Sequence, residues 1–216
     1  MAYLFLKAQG LAGKLVADIR IDGAGKKVTR SDNCRVSDLS VSSDNLTFTY
    51  EAKSLPYPID TSYYDNEKHT QADALSVIPF MDEMNYEGLS VSGLSDGYYG
   101  LTIGGEFIGR FTARELERGI NMALLQNTPQ YKQAMKIRQM NEERWLKERK
   151  MREFYWVEYN LMRKTGMLWA CDEAAVDTLR KYRPHDIFLQ WNGDLWLQYM
   201  HKGIREDCVN EQQDLV

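Results

Sequence analysis

Residues 93–97 read Gly-Leu-Ser-Asp-Gly and fit the Gly-x-Ser-x-Gly pattern, in which a serine serves as the nucleophile of acyl transfer. That chemistry requires a strand before the serine and a helix after it, so that the hydroxyl stands exposed above a sheet. In this chain the alternating apolar residues of 98–103 predict a strand directly after the pattern. We therefore expect Ser95 to lie in a loop between two strands and not to act as a nucleophile.

Other residues that could support catalysis or metal binding are scattered. The histidines are far apart in the sequence: His69, His185 and His201. A catalytic base must meet a nucleophile and an orienting group, so we expect each imidazole at the surface or at a helix cap. The cysteines are also widely spaced and form no Cys-x-x-Cys pair: Cys34, Cys171 and Cys208. This spacing predicts three free, buried or half-buried thiols. We expect no catalytic residue, no metal site and no cofactor in this chain.

The aromatic-rich stretch 187–201 holds the only candidate ligand-binding residues, which are Trp191, Trp196 and Tyr199. Their rings could form a platform for a sugar. The alternative is that they cover a core or an interface, because tryptophan buries a large apolar area. The sequence favours the alternative.

The composition is that of an ordinary globular protein, with 216 residues, 44% hydrophobic residues and a net charge of −4. This charge argues against a general nucleic-acid or anionic-membrane binder. The basic stretch from Lys132 to Arg152 is diluted by interleaved glutamates, which is typical of a solvated helix face. No apolar run reaches transmembrane length. We expect neither nucleic acid nor a membrane as a partner.

The first 90 residues predict a short helix followed by strands. Apolar spacing indicates a helix over 2–9 and strands over 16–21, from Val28, over 34–41 and over 46–52. Residues 70–86 have helical spacing, and Pro79 should kink or divide this helix.

A hairpin and a capped helix come next. Gly104-Gly105 supplies the positive φ values that a tight turn between strands 98–103 and 107–111 requires. Thr112 should then begin a short helix, with Glu115 completing a capping box and Gly119 following its end.

The remainder predicts helices. Thr128-Pro129 begins a helix that runs without a breaker to Thr165-Gly166, about 50 Å long. Asp172 should cap a second helix that ends near Tyr182. We expect a turn at Asn192-Gly193 and a frayed polar tail from Glu206.

The stretch 93–121 carries the pattern G-L-x-x-G-x-Y-x-L-x-I-x-G-x-x-x-G-x-F-T-A-x-E-L-x-x-G-x-N, and 127–134 reads N-T-P-Q-Y-K-Q-A. With the upstream stretches 55–58 and 78–81, this order resembles the C-terminal region of a bacterial branch of the SGNH (GDSL-type) hydrolases, over roughly residues 1–160. The resemblance implies an upstream catalytic domain with a serine, an oxyanion-hole glycine and asparagine, and an Asp-x-x-His pair. None of these blocks occurs in this chain.

The expected fold is α+β, with a small antiparallel sheet, covering helices and a long C-terminal helical section. We expect three parts: 1–15, a remnant terminal helix of an upstream hydrolase domain; 16–127, an α+β accessory domain; and 128–216, the long helix and the helical C-terminal section. The resemblance implies a chain that begins inside a longer, often exported esterase of carbohydrate-linked esters. In that enzyme it would be a non-catalytic accessory or oligomerisation region, with the upstream SGNH domain as its partner. The alternatives are a carbohydrate-binding module and a structural element that forms a homodimer through the long helix.

Overall fold

A computed structural model describes residues 2–42, 45–61, 63–64 and 69–214 and confirms the α+β class. The chain divides into two compact units, residues 1–136 and 137–216, which are described separately. The dividing point lies inside the long helix, whereas the sequence suggested a boundary after residue 127; that boundary stays a prediction. In the described part of the chain, every helix is too short or too polar to cross a bilayer.

In its described residues, the N-terminal unit combines ten strands with short helices. In chain order its elements are α1 (Ala2–Ala8), β1 (Ala17–Asp22), β2 (Lys27–Asp32), β3 (Cys34–Val41), β4 (Leu46–Ala52), β5 (Tyr63–Tyr64), β6 (His69–Thr70), a 3₁₀ turn (Gln71–Ser76), α2 (Phe80–Glu83), β7 (Glu87–Ser92), β8 (Tyr98–Ile103), β9 (Glu106–Thr112), α3 (Ala113–Arg118), β10 (Ile120–Asn121) and a second 3₁₀ turn (Met122–Leu124).

The strands form one four-stranded sheet, in the order β10-β7-β1-β2, and three separate two-stranded pairs, β3-β4, β5-β6 and β8-β9. The expectation of one antiparallel sheet is therefore wrong in one respect: β1 and β7 run parallel, with Ala17 opposite Glu87. The chain between these two strands is long enough for the crossover that a parallel pair requires. No bounds were predicted for the strand β7, although its Leu89 and Val91 alternate with Ser90 and Ser92. Its Leu89 and Val91 pack with Ile19 in the core of the unit.

The hairpin and the capping box are confirmed. Gly104 and Gly105 have φ values of 58° and 84° and join β8 to β9. Thr112 and Glu115 bond each other's backbone N–H groups at the start of α3. The helix predicted over 70–86 is divided at Pro79, which lies between the 3₁₀ turn and α2.

The helical part of the chain consists of α4 (Pro129–Val157), a π-helical turn (Glu158–Met162), α5 (Glu173–Tyr182), a 3₁₀ turn (Arg183–His185), α6 (Ile187–Tyr199) and α7 (Lys202–Gln213). The predicted start is confirmed, because the backbone N–H of Tyr131 donates to Thr128 Oγ1 at 3.2 Å. The regular α-helix ends earlier than the expected Thr165, since the turn after Val157 widens. The cap of α5 at Asp172 is confirmed.

Two expectations for the C-terminal unit are wrong. Asn192-Gly193 is not a turn but lies inside α6, because the burial of Leu189 and Trp196 on one face of the helix outweighs the local turn preference. Gly193 contacts Arg183, and an added Cβ would come within 3.3 Å of the guanidinium Nε.

The segment from Glu206 to Gln213 is also helical. It forms most of α7, where Cys208 is buried and Glu211 forms an ion pair with Lys147. All three thiols are free, as predicted, although Cys171 is exposed and not half-buried.

Candidate functional site

Ser95 lies in the loop between β7 and β8, as predicted. Its carbonyl oxygen accepts a hydrogen bond of 2.9 Å from the hydroxyl of Tyr99, which belongs to the following strand. A strand therefore occupies the place where a nucleophilic serine would need a helix.

The structure separates the three predicted binding residues. Trp196 is 0% exposed and Tyr199 is 6% exposed, and both belong to the core of the C-terminal unit. Trp191 is 65% exposed and contacts Phe188 edge to face at 5.6 Å. Trp191 alone thus has a ring that a ligand could reach, and sugar binding by this group stays a prediction.

The three histidines lie on different elements: His69 in β6, His185 in the 3₁₀ turn before α6, and His201 directly before α7. His201 occupies the cap position of α7, where its side chain forms no capping hydrogen bond. Within the described ranges, no group of three His, Cys, Asp or Glu residues is arranged to hold a metal ion.

The C-terminal unit contains a cavity of about 460 Å³ that the sequence did not reveal. We call it the aromatic pocket. It lies among the end of α4, the loop before α5, and α7. Its lining residues are Tyr155, Trp169, Lys202, Arg205, Glu206, Val209 and Asn210. This volume is within the range of sites for small organic ligands.

Trp169 has an unusual backbone conformation, with φ at 66°. This left-handed region is rarely adopted by bulky residues, and a residue held there costs about 1–3 kcal/mol. The backbone N–H of Trp169 donates to Glu158 Oε2 at 2.9 Å, while the indole Nε1 of Trp196 donates to Glu158 Oε1 at 2.8 Å. Glu158 is 1% exposed. A buried carboxyl group therefore joins the loop that carries Trp169 to the core.

Glu158 is also the first residue of the π-helical turn. Such turns are rare and frequently occur at functional sites, because one extra residue in the helical turn shifts the positions of the side chains that follow. The turn is a second irregularity beside the aromatic pocket, and Glu158 links it to the backbone of Trp169.

The rings around the pocket contact each other edge to face. The ring centroid of Trp169 is 6.0 Å from those of both Tyr155 and Tyr159, with interplanar angles of 85°. Arg205 lies over the ring of Phe154 at 4.8 Å. Its Nη1 also donates to the carbonyl oxygens of Tyr199 and Met200, at 2.8 and 2.6 Å. Arg205 is therefore held in place by its own unit.

The charges at the pocket are unequal. Lys202 and Arg205 provide two positive charges, and Glu206 provides one negative charge. The Lys202 Nζ lies 3.3 Å from the Glu206 carboxylate, and both side chains are largely exposed. Such a pair is weak in water, so a ligand can compete for either partner.

A second unusual group lies in the N-terminal unit. Glu87 is fully buried, and its Oε1 accepts a hydrogen bond of 2.8 Å from the hydroxyl of Tyr50. Its Oε2 has no hydrogen-bond partner in the part of the chain that the structure describes. Burial raises the pKa of Glu87 above its ordinary value, which the hydrogen bond from Tyr50 opposes in part. Burial and the nearby Glu87 carboxyl also raise the pKa of the Tyr50 hydroxyl.

Tyr50 also lines a cavity of about 490 Å³ in the N-terminal unit, together with residues of β4, of the segment that follows it and of α4. The other lining residues are Ala52, Lys53, Ser54, Leu55, Gln130 and Gln133. A raised carboxyl pKa near a cavity is one mark of a functional site. Ser54 of this cavity donates its hydroxyl to the carbonyl oxygen of Val16, and we assign no reaction to this group.

Little in the sequence could have revealed the aromatic pocket. Tyr155 and Tyr159 are four residues apart in a helical pattern, a spacing that places side chains on one face of a helix. The left-handed Trp169 carries no signal, since glycine or asparagine is the residue that usually marks such a conformation.

Residues 135–216 match the family described as the diltiazem deacetylase C-terminal helical domain. The match begins close to Ile137, where the second compact unit begins. Across the whole chain, the structure is similar to a solved structure of a gut microbial diltiazem-metabolizing enzyme, with a TM-score of 0.89 and 39% sequence identity. The alignment covers 100% of this chain and 49% of that one, so the chain spans about half the length of the solved relative. A comparison with curated proteins finds no match.

These findings correct the resemblance stated from the sequence. The order of motifs in 93–134 was assigned to a branch of the SGNH hydrolases, and that assignment is wrong at the level of the family. The matches are instead to a diltiazem deacetylase domain and to a diltiazem-metabolizing enzyme. The two assignments share an association with ester hydrolysis.

Proposed function

We propose that this chain acts as a non-catalytic accessory region that works with a catalytic domain for ester hydrolysis, of the kind found in diltiazem deacetylase. The observation that carries the proposal is the alignment over the full chain, at 39% identity, with about half of a diltiazem-metabolizing enzyme. The reaction class follows from the name of the matched family, because a deacetylase removes an acetyl group.

The geometry of the Gly-x-Ser-x-Gly loop supports a role outside catalysis. Ser95 lies between two strands, and its carbonyl oxygen accepts a hydrogen bond from the hydroxyl of Tyr99. The histidine positions support the same view, because the three imidazoles lie on three different elements.

A direct test is the hydrolysis of nitrophenyl acetate by the purified chain, with Ser95→Ala as the matched control. We expect the two proteins to give the same rate, equal to the rate without enzyme. Turnover that the Ser95→Ala change abolishes would overturn the non-catalytic assignment.

The accessory role needs a second measurement. The half of the diltiazem-metabolizing enzyme that this chain does not cover can be expressed alone and fused to this chain, and both can be assayed for diltiazem deacetylation. We expect the fusion to be more active or more stable than the half alone. Equal activity and equal stability of the two would refute an accessory role while leaving the first result intact.

Two more specific expectations from the sequence, a carbohydrate-ester substrate and a homodimer, remain proposals. A carbohydrate ester as substrate has no support beyond the exposed ring of Trp191. A homodimer through α4 is supported by the exposed apolar side chains of Trp145 and Leu146. Light scattering measures this association directly.

A further inference from the structure

We propose that the aromatic pocket is a binding site for a planar aromatic ligand that carries a negative charge. The proposal concerns the C-terminal unit alone and does not depend on the accessory function proposed above.

The aromatic part of the ligand is indicated by the exposed rings. Tyr155 and Trp169 line the cavity and are each more than one third exposed, although both are large enough to bury well in a core. An edge-to-face pair leaves ring faces on which another flat group can stack. Val209 adds an apolar contact at the wall of the pocket.

The charge of the ligand is indicated by the cations. Lys202 and Arg205 outnumber the one carboxylate, Glu206, among the lining residues. Arg205 is fixed by the carbonyl oxygens of Tyr199 and Met200, so its position is set before a ligand arrives. Lys202 is free to turn from Glu206 toward an anion, because that ion pair is exposed and weak. A carboxylate attached to an aromatic ring would satisfy both features of the pocket.

The pocket is held open by the protein itself. Glu158 accepts the backbone N–H of Trp169 and is in turn fixed by the indole of Trp196, so two hydrogen bonds support the strained backbone. Strain of this kind persists where the surrounding structure determines it, and it clusters at ligand sites. A loop without a function could relieve the strain by a change at one residue.

The test is calorimetric titration of the full chain with naphthoate and with naphthamide, two probes of the same shape that differ in charge. We expect saturable binding of naphthoate that is about tenfold tighter than that of naphthamide, as is typical of one charge-assisted contact. Equal affinity for the two probes, or no saturable binding of either, would overturn the proposal.

Three variants assign the binding to this pocket. Lys202→Gln should weaken naphthoate binding several-fold and leave naphthamide binding unchanged. Glu206→Gln should strengthen naphthoate binding, because it removes the competing negative charge. Both side chains are exposed, so neither change threatens the fold. Trp169→Asn should weaken both probes, since asparagine tolerates the left-handed backbone but has no ring.

Two controls lie elsewhere in the same unit. Trp191→Leu removes an exposed ring outside the pocket, and Lys181→Gln removes an exposed lysine that lies over the ring of Tyr182. Both variants should bind naphthoate as the unchanged protein does. If either control lowers the affinity as much as its counterpart in the pocket, the ligand binds at another place and the proposal fails.

Discussion

Glu158 is the residue whose replacement should reveal most about the C-terminal unit. In Glu158→Leu, the indole N–H of Trp196 stays in the core without an acceptor, which costs about 1–3 kcal/mol. The backbone N–H of Trp169 is only partly buried, and its lost hydrogen bond adds about 0.5–1.5 kcal/mol. The expected loss is therefore about 1.5–4.5 kcal/mol, a large share of the 5–15 kcal/mol by which small domains are usually stable.

Tryptophan fluorescence can measure this loss in one unit without interference from the other. The five tryptophans of the chain all lie in the C-terminal unit: Trp145, Trp156, Trp169, Trp191 and Trp196. Urea unfolding followed by this signal should show a lower midpoint for Glu158→Leu and an unchanged slope. Glu158→Gln keeps one acceptor oxygen and should lose roughly half as much. Glu148→Leu removes an exposed ion pair with Arg152 on α4 and should change stability by less than about 0.5 kcal/mol.

A double-mutant cycle then tests whether the hydrogen bond to Trp196 is the cause. Trp196→Phe removes the indole donor, so Glu158→Leu should cost about 1–2 kcal/mol less in that background than in the unchanged protein. Strictly additive effects would refute the reasoning, as would a Glu158→Leu protein with the stability of the original.

Three further changes test other parts of the structure. Burial raises the pKa of Glu87 above 4.5, so ionisation of this carboxyl group opposes folding. The unchanged protein and Glu87→Gln should therefore have the same free energy of unfolding below pH 4.5. The unchanged protein should become the less stable of the two as the pH rises toward the pKa of Glu87 in the folded state. Amide-exchange protection in β7 at matched pH measures this difference in stability. A stability difference between the two proteins that stays constant with pH would contradict the reasoning. Tyr50→Phe should raise the pKa of Glu87 further, because it removes the hydrogen bond to the carboxylate. Thr112→Ala removes the side-chain cap of α3 and should lower the free energy of unfolding by about 1 kcal/mol in thermal or denaturant unfolding. An effect no larger than that of an exposed surface change would refute the capping role. If α4 forms a homodimer, light scattering should give twice the chain mass of 25.1 kDa. Trp145→Glu should then restore the monomer. A monomeric mass for the unchanged protein at tens of micromolar would exclude the dimer.

The sequence predicted those features that depend on neighbouring residues. The caps at Thr112 and Asp172 and the hairpin at Gly104-Gly105 each depend on residues within about four positions, so the chain carries all the information locally. The parallel pairing of β1 with β7 joins residues about seventy positions apart in sequence. No local pattern encodes such a pairing.

The difference between local patterns and long-range contacts also explains why the candidate site was not predicted from the sequence. Trp191, Trp196 and Tyr199 were grouped because they are close in sequence, but a helix that packs on one side places neighbouring residues in different environments. Trp196 therefore entered the core and Trp191 stayed at the surface. The residues of the aromatic pocket lie on α4, the loop before α5, and α7, and only the tertiary structure brings them together.

Glu158 connects these two observations. Glu158 lies in the middle of a long helical pattern, and charged residues are rarely buried without partners. It is buried because both of its oxygens have donors, one from the core and one from a backbone N–H that a regular loop would not present. The left-handed backbone of Trp169 is therefore the condition for the burial of Glu158, and the burial of Glu158 maintains that backbone. Each unfavourable feature is stabilised by the other, and together they hold the ring of Trp169 at the edge of the pocket.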